Sequence, residues 1–351
     1  MFKVCKINKW KRKDIIMFLE RIEMYFSSGL EINKTLLIME NGLKNNHKTC
    51  VIEVRKNIES GMPLHHSLES VIGISRTTAG LIEYGEISGT LAKALLTAKN
   101  LLEKEDELLK KCINALIYPV VIGIFAVLLT IGLIRGVMSQ IIPLLKSLKV
   151  DLPIITKLTI AISEIITNYG LYILIISITI ITIFKILAKK YTKFRRVFHY
   201  SLIKVPLIGT LIYNYYLALF LHACGSLVES GLFIGEAYTK TLSTVTFLPL
   251  KQLLESRIND IYRGLSLANI LSDRRIPIFI VSLIDAGQAS GILGASIIRA
   301  GNILDRDLDH SLKKITALIE PIMMIGMGCM VGTIALSIMI PIYNLSNVLQ
   351  K

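Results

Sequence analysis

The sequence predicts an all-α polytopic membrane protein: two repeated helical bundles of about six helices each, plus three transmembrane helices. Three observations predict it. The 351 residues are 52% hydrophobic and 19% charged, with a mean hydropathy of +0.58, and the apolar excess is gathered into three long runs. The remainder shows apolar residues at helical spacing and no alternating β pattern. The chain also repeats itself at a nearly constant offset.

The apolar runs come first, because a bilayer needs about 20 residues at 1.5 Å each. Residues 113–138 form one, broken only by Arg135; residues 169–188 form a second, rich in Ile and Thr. Residues 315–343 form the third, with Glu320 as its only charge. The predicted organisation is therefore a helical domain 1–112, a span 113–138, a loop 139–168, a span 169–188, a helical domain 189–314, a span 315–343 and a tail 344–351. The start, with six Lys or Arg in thirteen residues and no apolar region behind it, does not read as a cleaved signal peptide.

Within the first domain Ile15, Leu19, Ile22 and Phe26 share one helical face, and so do Ile32, Leu36, Met39 and Leu43. Leu91, Leu95, Ala98 and Leu102 mark a helix that continues into the first span. Ser28-Gly29-Leu30 reads as a helix stop followed by a restart.

Self-comparison explains the second domain. Phe18-Leu19 and Ser28-Gly29-Leu30-x-Ile32 return as Phe220-Leu221 and Ser230-Gly231-Leu232-x-Ile234, an offset of 202. Gly61-x-x-Leu64 returns as Gly264-x-x-Leu267 at 203; Gly85-Glu86-Ile87-Ser88-Gly89 returns as Gly287-Gln288-Ala289-Ser290-Gly291 at 202. Ala115-Leu116-Ile117-Tyr118-Pro119 returns as Ala317-Leu318-Ile319-Glu320-Pro321, again at 202. The unit is a helical domain followed by a span, written twice, with 169–188 as an extra return crossing.

Charge sets the expected orientation. Residues 1–112 carry 18 basic and 14 acidic residues, net +4; residues 185–316 carry 17 and 9, net +8; the loop 139–168 carries 3 and 2, net +1. Lys and Arg crowd the span ends next to the two large domains, so both are expected in the cytoplasm and the loop outside. The overall +14 suits anionic membrane lipids, and no aromatic-basic pattern accompanies it that would point to direct nucleic-acid binding.

The repeated S-G-L-x-I, the G-E-x-S-G-x-L motif and the Y-P or E-P at the start of a span resemble the inner-membrane platform proteins of type IV pilus assembly and type II secretion, the GspF/PilC family. Val205-Pro206-Leu207-Ile208-Gly209 resembles the family's Pro-x-x-Gly, Leu152-Pro153 with Thr156 its outer loop, and Gly332 with Pro341-Ile342 its last span. The chain departs at Glu20-Arg21, where relatives often have Arg-Gln, at Leu219, where they often have Arg, and at Gln288, where the motif has an acid.

The resemblance implies a non-enzymatic platform in the bacterial inner membrane, serving a type IV pilus, a competence pseudopilus or a type II secretion machine. The implied partners are a hexameric cytoplasmic assembly ATPase, pilin or pseudopilin subunits, other inner-membrane assembly components, further copies of the chain as a homo-oligomer, and membrane lipids. The alternative is a membrane subunit of an ATPase-coupled transporter. Transporters usually place polar groups and broken helices near mid-bilayer, whereas these spans hold one carboxylate and one arginine, with Lys185 at the end of the second.

No catalytic, cofactor or metal site is expected. The chain has no Walker-type Lys-Ser or Lys-Thr loop, no H-E-x-x-H and no G-x-S-x-G. The adjacent His65 and His66 are expected to point apart on a helix, and the five cysteines lack ligand spacing. The basic start, Lys3 to Lys13 with Trp10, reads as a solvated tail or as a contact to lipid or the ATPase.

The candidate residues are therefore for packing or interaction. Glu86, between Gly85 and Gly89, is either a contact to the ATPase or a second copy, or part of a helix start capped by Ser88, with the glycines giving a tight turn. Gly287, Gln288 and Gly291 are its counterparts. Pro119 and Pro321 are either hinges or ordinary prolines, tolerated near a helix start and kinking the helix where they lie deeper. Glu320 either pairs with Lys313 or Lys314 or lies among headgroups. Gly132-x-x-x-Gly136 and Gly328-x-x-x-Gly332 put small residues on one span face for close packing within or between molecules.

Overall fold

The computed structural model describes residues 10–43, 45–133, 192–205 and 207–349, together with isolated positions between 136 and 183. The basic start up to residue 9, most of the 139–168 loop and most of the 169–188 span lie outside the described residues. Among the described residues the protein is helical, with no strand.

The first repeat comprises α1 (Arg12–Ser27), α2 (Ile32–Glu40), α3 (Asn45–Glu59), α4 (Leu64–Val71), α5 (Arg76–Ser88) and α6 (Leu91–Leu133). After α7 (Thr192–Lys204), the second comprises α8 (Ile208–Glu229), α9 (Ile234–Leu242), α10 (Leu248–Ser256), α11 (Ile258–Tyr262), α12 (Leu267–Ile270), α13 (Ile278–Ala289) and α14 (Leu293–Leu349). The two series match element for element, except that α3 is broken at Arg257 into α10 and α11.

Three glycine turns are repeated with the same hydrogen bonds. Gly29 (φ 85°) and Gly231 (φ 106°) sit at helix ends where Leu30 N–H reaches Tyr25 O and Leu232 N–H reaches Leu227 O. Gly61 and Gly264 do the same through Met62 to Asn57 and Leu265 to Asp260, as do Gly89 and Gly291 through Thr90 to Gly85 and Ile292 to Gly287. The left-handed conformation costs an L-residue about 1–2 kcal/mol, which is why glycine stands at all six positions.

Contacts divide the chain into two compact units. One holds Met1–Lys111 with His199–His310, so both helical repeats belong to a single body. Its core is built from paired positions: Phe18 and Phe220, Leu19 and Leu221, Ile22 and Cys224, Leu68 and Leu271, Ile82 and Ile284 are all buried. Each large side chain of this kind contributes about 1.5–3 kcal/mol on burial. Burial also pushes the Cys224 thiol up to about 12, so it fills space where Ile22 stands in the first repeat.

The other unit holds Cys112–Phe198 with Ser311–Lys351. Here Thr130 contacts the Met330 sulfur, and Gly123 lies where an added methyl would be 3.8 Å from Met323 Cε. Three described helices are long and apolar enough to cross a membrane: Leu91–Gly132, Ile208–Glu229 and Leu293–Ser337. Their apolar windows are 6%, 61% and 0% buried. The middle one, α8, owes its apolarity to bundle packing, whereas the first and last expose theirs.

Candidate functional site

The G-E-x-S-G segment ends α5. Ser88 does not cap a helix start: its hydroxyl donates to Tyr84 O at 2.7 Å, and Gly89 follows in the left-handed conformation. The cap of α5 is Ser75, whose Oγ accepts from Thr78 N–H at 3.1 Å. Gly85 serves close approach, since a Cβ there would overlap Ala94 Cβ on α6. Gly287 repeats this against Ser296 on α14.

Glu86 reaches back across the bundle to α4. Its carboxylate accepts from Leu64 N–H at 2.6 Å and His65 N–H at 3.2 Å, and stands 2.5 Å from His65 Nδ1. Pro63 precedes α4 and brings no side-chain acceptor, so Glu86 satisfies the exposed amides and places negative charge at the positive end of the helix. Gln288 does the same in the second repeat, its Oε1 accepting from Leu267 N–H at 3.2 Å. There Ser266 replaces Pro63 and caps Asn269 N–H itself at 3.2 Å. His65 and His66 do not point apart: their rings stack with centroids 5.0 Å apart, because Glu86 draws the first ring over.

The two repeats meet along α5. Its outer face lies on α8 and α9, where Glu83 accepts from Lys240 Nζ at 2.6 Å and Thr77 Oγ1 is 3.4 Å from Thr244 Oγ1. The hydrogen bond from Lys240 holds the Glu83 carboxyl below its ordinary value against a smaller opposing effect of burial. Tyr84 lies over Gly231, leaving no room there for a side chain. A cleft of about 380 Å³ opens beside this contact, with Arg12 and Glu105 of the first repeat on one side and Tyr215 and Tyr216 of the second on the other. Burial raises the Glu105 carboxyl, and its ion pair with Arg12 at 3.3 Å opposes that rise.

A second line of contact joins α6 to α14. Lys104 Nζ is 2.9 Å from Asp305 Oδ2, which also lies 3.0 Å from His222 Nε2; farther along, Lys111 pairs with Asp309 at 3.0 Å. Burial by itself would raise Asp305, but its hydrogen bonds and electrostatic contacts with His222 and Lys104 hold it below its ordinary 3.8. Gly301 makes room for the His222 ring, which a Cβ would meet at 2.9 Å. Sequence reasoning missed Glu83, Lys240, His222, Asp305 and Lys104. The signal available was polarity at core register: His222 and Asp305 each stand beside fully apolar core positions.

The remaining candidates stay apart from these contacts. Pro119 lies deep inside α6, which starts at Leu91, and its missing N–H leaves Ala115 O without the helical bond. Pro321 lies likewise inside α14. Glu320 is exposed and, among the described residues, forms no ion pair with Lys313 or Lys314. Among the described residues, nothing lies within 4 Å of a Cβ added at Gly132, Gly136, Gly328 or Gly332. Among the described residues no group of His, Cys, Asp or Glu could hold a metal ion.

This twofold architecture is matched by known sequences. The family model described as Type II secretion system (T2SS), protein F, matches residues 18–138 and again residues 220–341. The chain belongs to that family. Its relatives in the protein F family include the type IV pilus assembly protein PilC of Thermus thermophilus, 27% identical over 96% of this chain and 84% of that protein. PilC of Pseudomonas aeruginosa is 23% identical over 97% of this chain and 92% of its own. The type II secretion system protein F of Xanthomonas campestris is 21% identical over 95% and 83%. The two matched stretches each begin in α1 or α8 and extend past the bundle into the apolar part of α6 or α14, so this protein F relative carries the family unit twice.

Proposed function

We propose that this chain is a non-enzymatic inner-membrane platform of a type IV pilus, competence pseudopilus or type II secretion machine. It couples a hexameric cytoplasmic assembly ATPase to the insertion of pilin-like subunits into a fibre, as a homo-oligomer seated among anionic lipids and other assembly components. The observation that carries this reading is helix continuity. Helices α6 and α14 each start in the docked bundles and run unbroken into segments whose apolar windows are 6% and 0% buried. A push on the bundles has a continuous helical path toward the apolar segments. The relatives' names, pilus assembly and secretion, favour this over the transporter alternative.

The test is a pull-down of the full chain in detergent with the assembly ATPase encoded by the same organism, together with a deletion strain scored for fibres, DNA uptake and exoprotein release. Retention of the ATPase and loss of one of these outputs are expected. Full output in the deletion strain would end the proposal.

A further inference from the structure

The contact between the repeats is not reciprocal. The α5 face of the first repeat sits on α8 and α9 of the second, through Thr77, Gly80, Glu83 and Tyr84. The equivalent face of the second repeat, on α13, is Phe279, Ser282, Asp285 and Ala286, and all four are exposed, Phe279 by 45%. The surface equivalent to the one α5 covers, on α1 and α2 of the first repeat, is exposed too. Ile38, which stands where Lys240 does, is 44% exposed, and Gly29, which stands where Gly231 does, has open space around it.

We propose that the α13 face of one copy docks on the α1–α2 face of a second copy, repeating between chains the contact that joins the two repeats within one. The occupant is argued from this continuity and from three matched exchanges. The cation that meets Glu83 at Lys240 has moved one turn along, to Lys34, where Glu236 stands in the second repeat; it faces Asp285. Among the described residues neither Lys34 nor Asp285 forms an ion pair. The rings along the face have also changed: Tyr84, which lies over Gly231, becomes Ala286, while Leu227, which lies against Gly80 one turn away, becomes the half-buried Tyr25. Phe279 replaces Thr77 opposite the Asn41-Gly42 turn, where a Cβ on Gly42 would meet only Met39 O at 3.9 Å.

Such a contact is heterologous, so it propagates until rotation closes it. Within the chain the two repeats also pair side by side along α6 and α14. Lys104 of α6 meets Asp305, the equivalent of residue 103, and Lys111 meets Asp309, the equivalent of residue 107, at the offset of 202. The interface between copies deepens the homo-oligomer of the proposed function and rests on that part of it alone, independent of the ATPase.

The test uses two differently tagged full-length copies co-expressed without native cysteines, one carrying Ile38→Cys and the other Asp285→Cys. A short bis-maleimide applied to membranes is expected to give an adduct with both tags, at least about tenfold above either substitution paired with itself. Glu83→Cys with Lys240→Cys in one chain is the control that must close internally. Asp285→Lys in a cysteine-substituted Gly42 and Phe279 version of the pair is expected to lower the mixed adduct about tenfold, and Lys34→Asp in the other copy to restore it. A closed control without a mixed adduct, or self-adducts as strong as the mixed one, overturns the interface. Light scattering of the solubilised protein separates the failures: an oligomeric mass without the adduct removes only this interface, and a monomeric mass removes the oligomer as well.

Discussion

At Glu86 a carboxylate and the amides of Leu64 and His65 form a cap between helices that are neighbours in the bundle but separated in the chain. Glu86→Gln keeps an acceptor and is expected to cost well under ~1 kcal/mol, as Gln288 already serves in the second repeat. Glu86→Ala is expected to cost about 1–2 kcal/mol, and more than Gln288→Ala, because Pro63 offers no substitute where Ser266 does. Trp10, the only tryptophan, is buried against Phe18 and His47, so its emission during thermal melting of the full chain reads these costs directly. Asp305 gives the pH dependence. Its folded pKa is lowered, so its contribution is complete above the unfolded value and is lost as pH falls through the lower folded value. The melting midpoint should therefore drop on acidification below about pH 4, and Asp305→Asn should flatten that limb while lowering stability at neutral pH. The interchange of Glu86 with Gln288 was legible in the repeat; its partners were not, because backbone amides leave no mark in a sequence.

Elements follow the sequence more closely. The periodic faces of α1, α2 and the start of α6 bury Leu19, Ile22, Leu36, Met39, Leu95 and Ala98, and Gly29, Gly61 and Gly89 with their counterparts follow helix ends. What the pattern hid was whether a glycine serves a turn or a contact. Gly85 and Gly287 look like turn residues beside Gly89 and Gly291, yet they sit inside α5 and α13 and let the next helix close in. Gly85→Ala and Gly287→Ala are each expected to cost about 1–3 kcal/mol by overpacking, measured from the same melts. The prolines are ambiguous in the sequence for a related reason. A proline's meaning depends on where its helix begins, and α6 begins 28 residues before Pro119, at Leu91. Pro119→Ala restores one helical hydrogen bond and should stabilise α6, by up to about 3 kcal/mol, seen as a higher melting midpoint in detergent.

At the scale of the molecule, duplication was visible in the sequence, but docking of the copies was not, since it depends on faces that differ between them. Thr77, Glu83 and Tyr84 gained partners where Phe279, Asp285 and Ala286 did not. Lys240→Glu should loosen the junction by about 1 kcal/mol, a partly exposed pair being worth no more, and Glu83→Lys in the same chain should recover part of it in a double-mutant cycle. Both repeats form one body, and the proposed function requires that body to lie on one side of the membrane, where a single motor can engage it. Met62 and Leu265 stand at equivalent exposed turns, 41% and 46% accessible, and serve as cysteine reporters in a chain stripped of native cysteines. With a membrane-impermeant maleimide, both reporters should stay unlabelled in intact spheroplasts and both should label on lysis; labelling of one but not the other in intact cells would contradict the account.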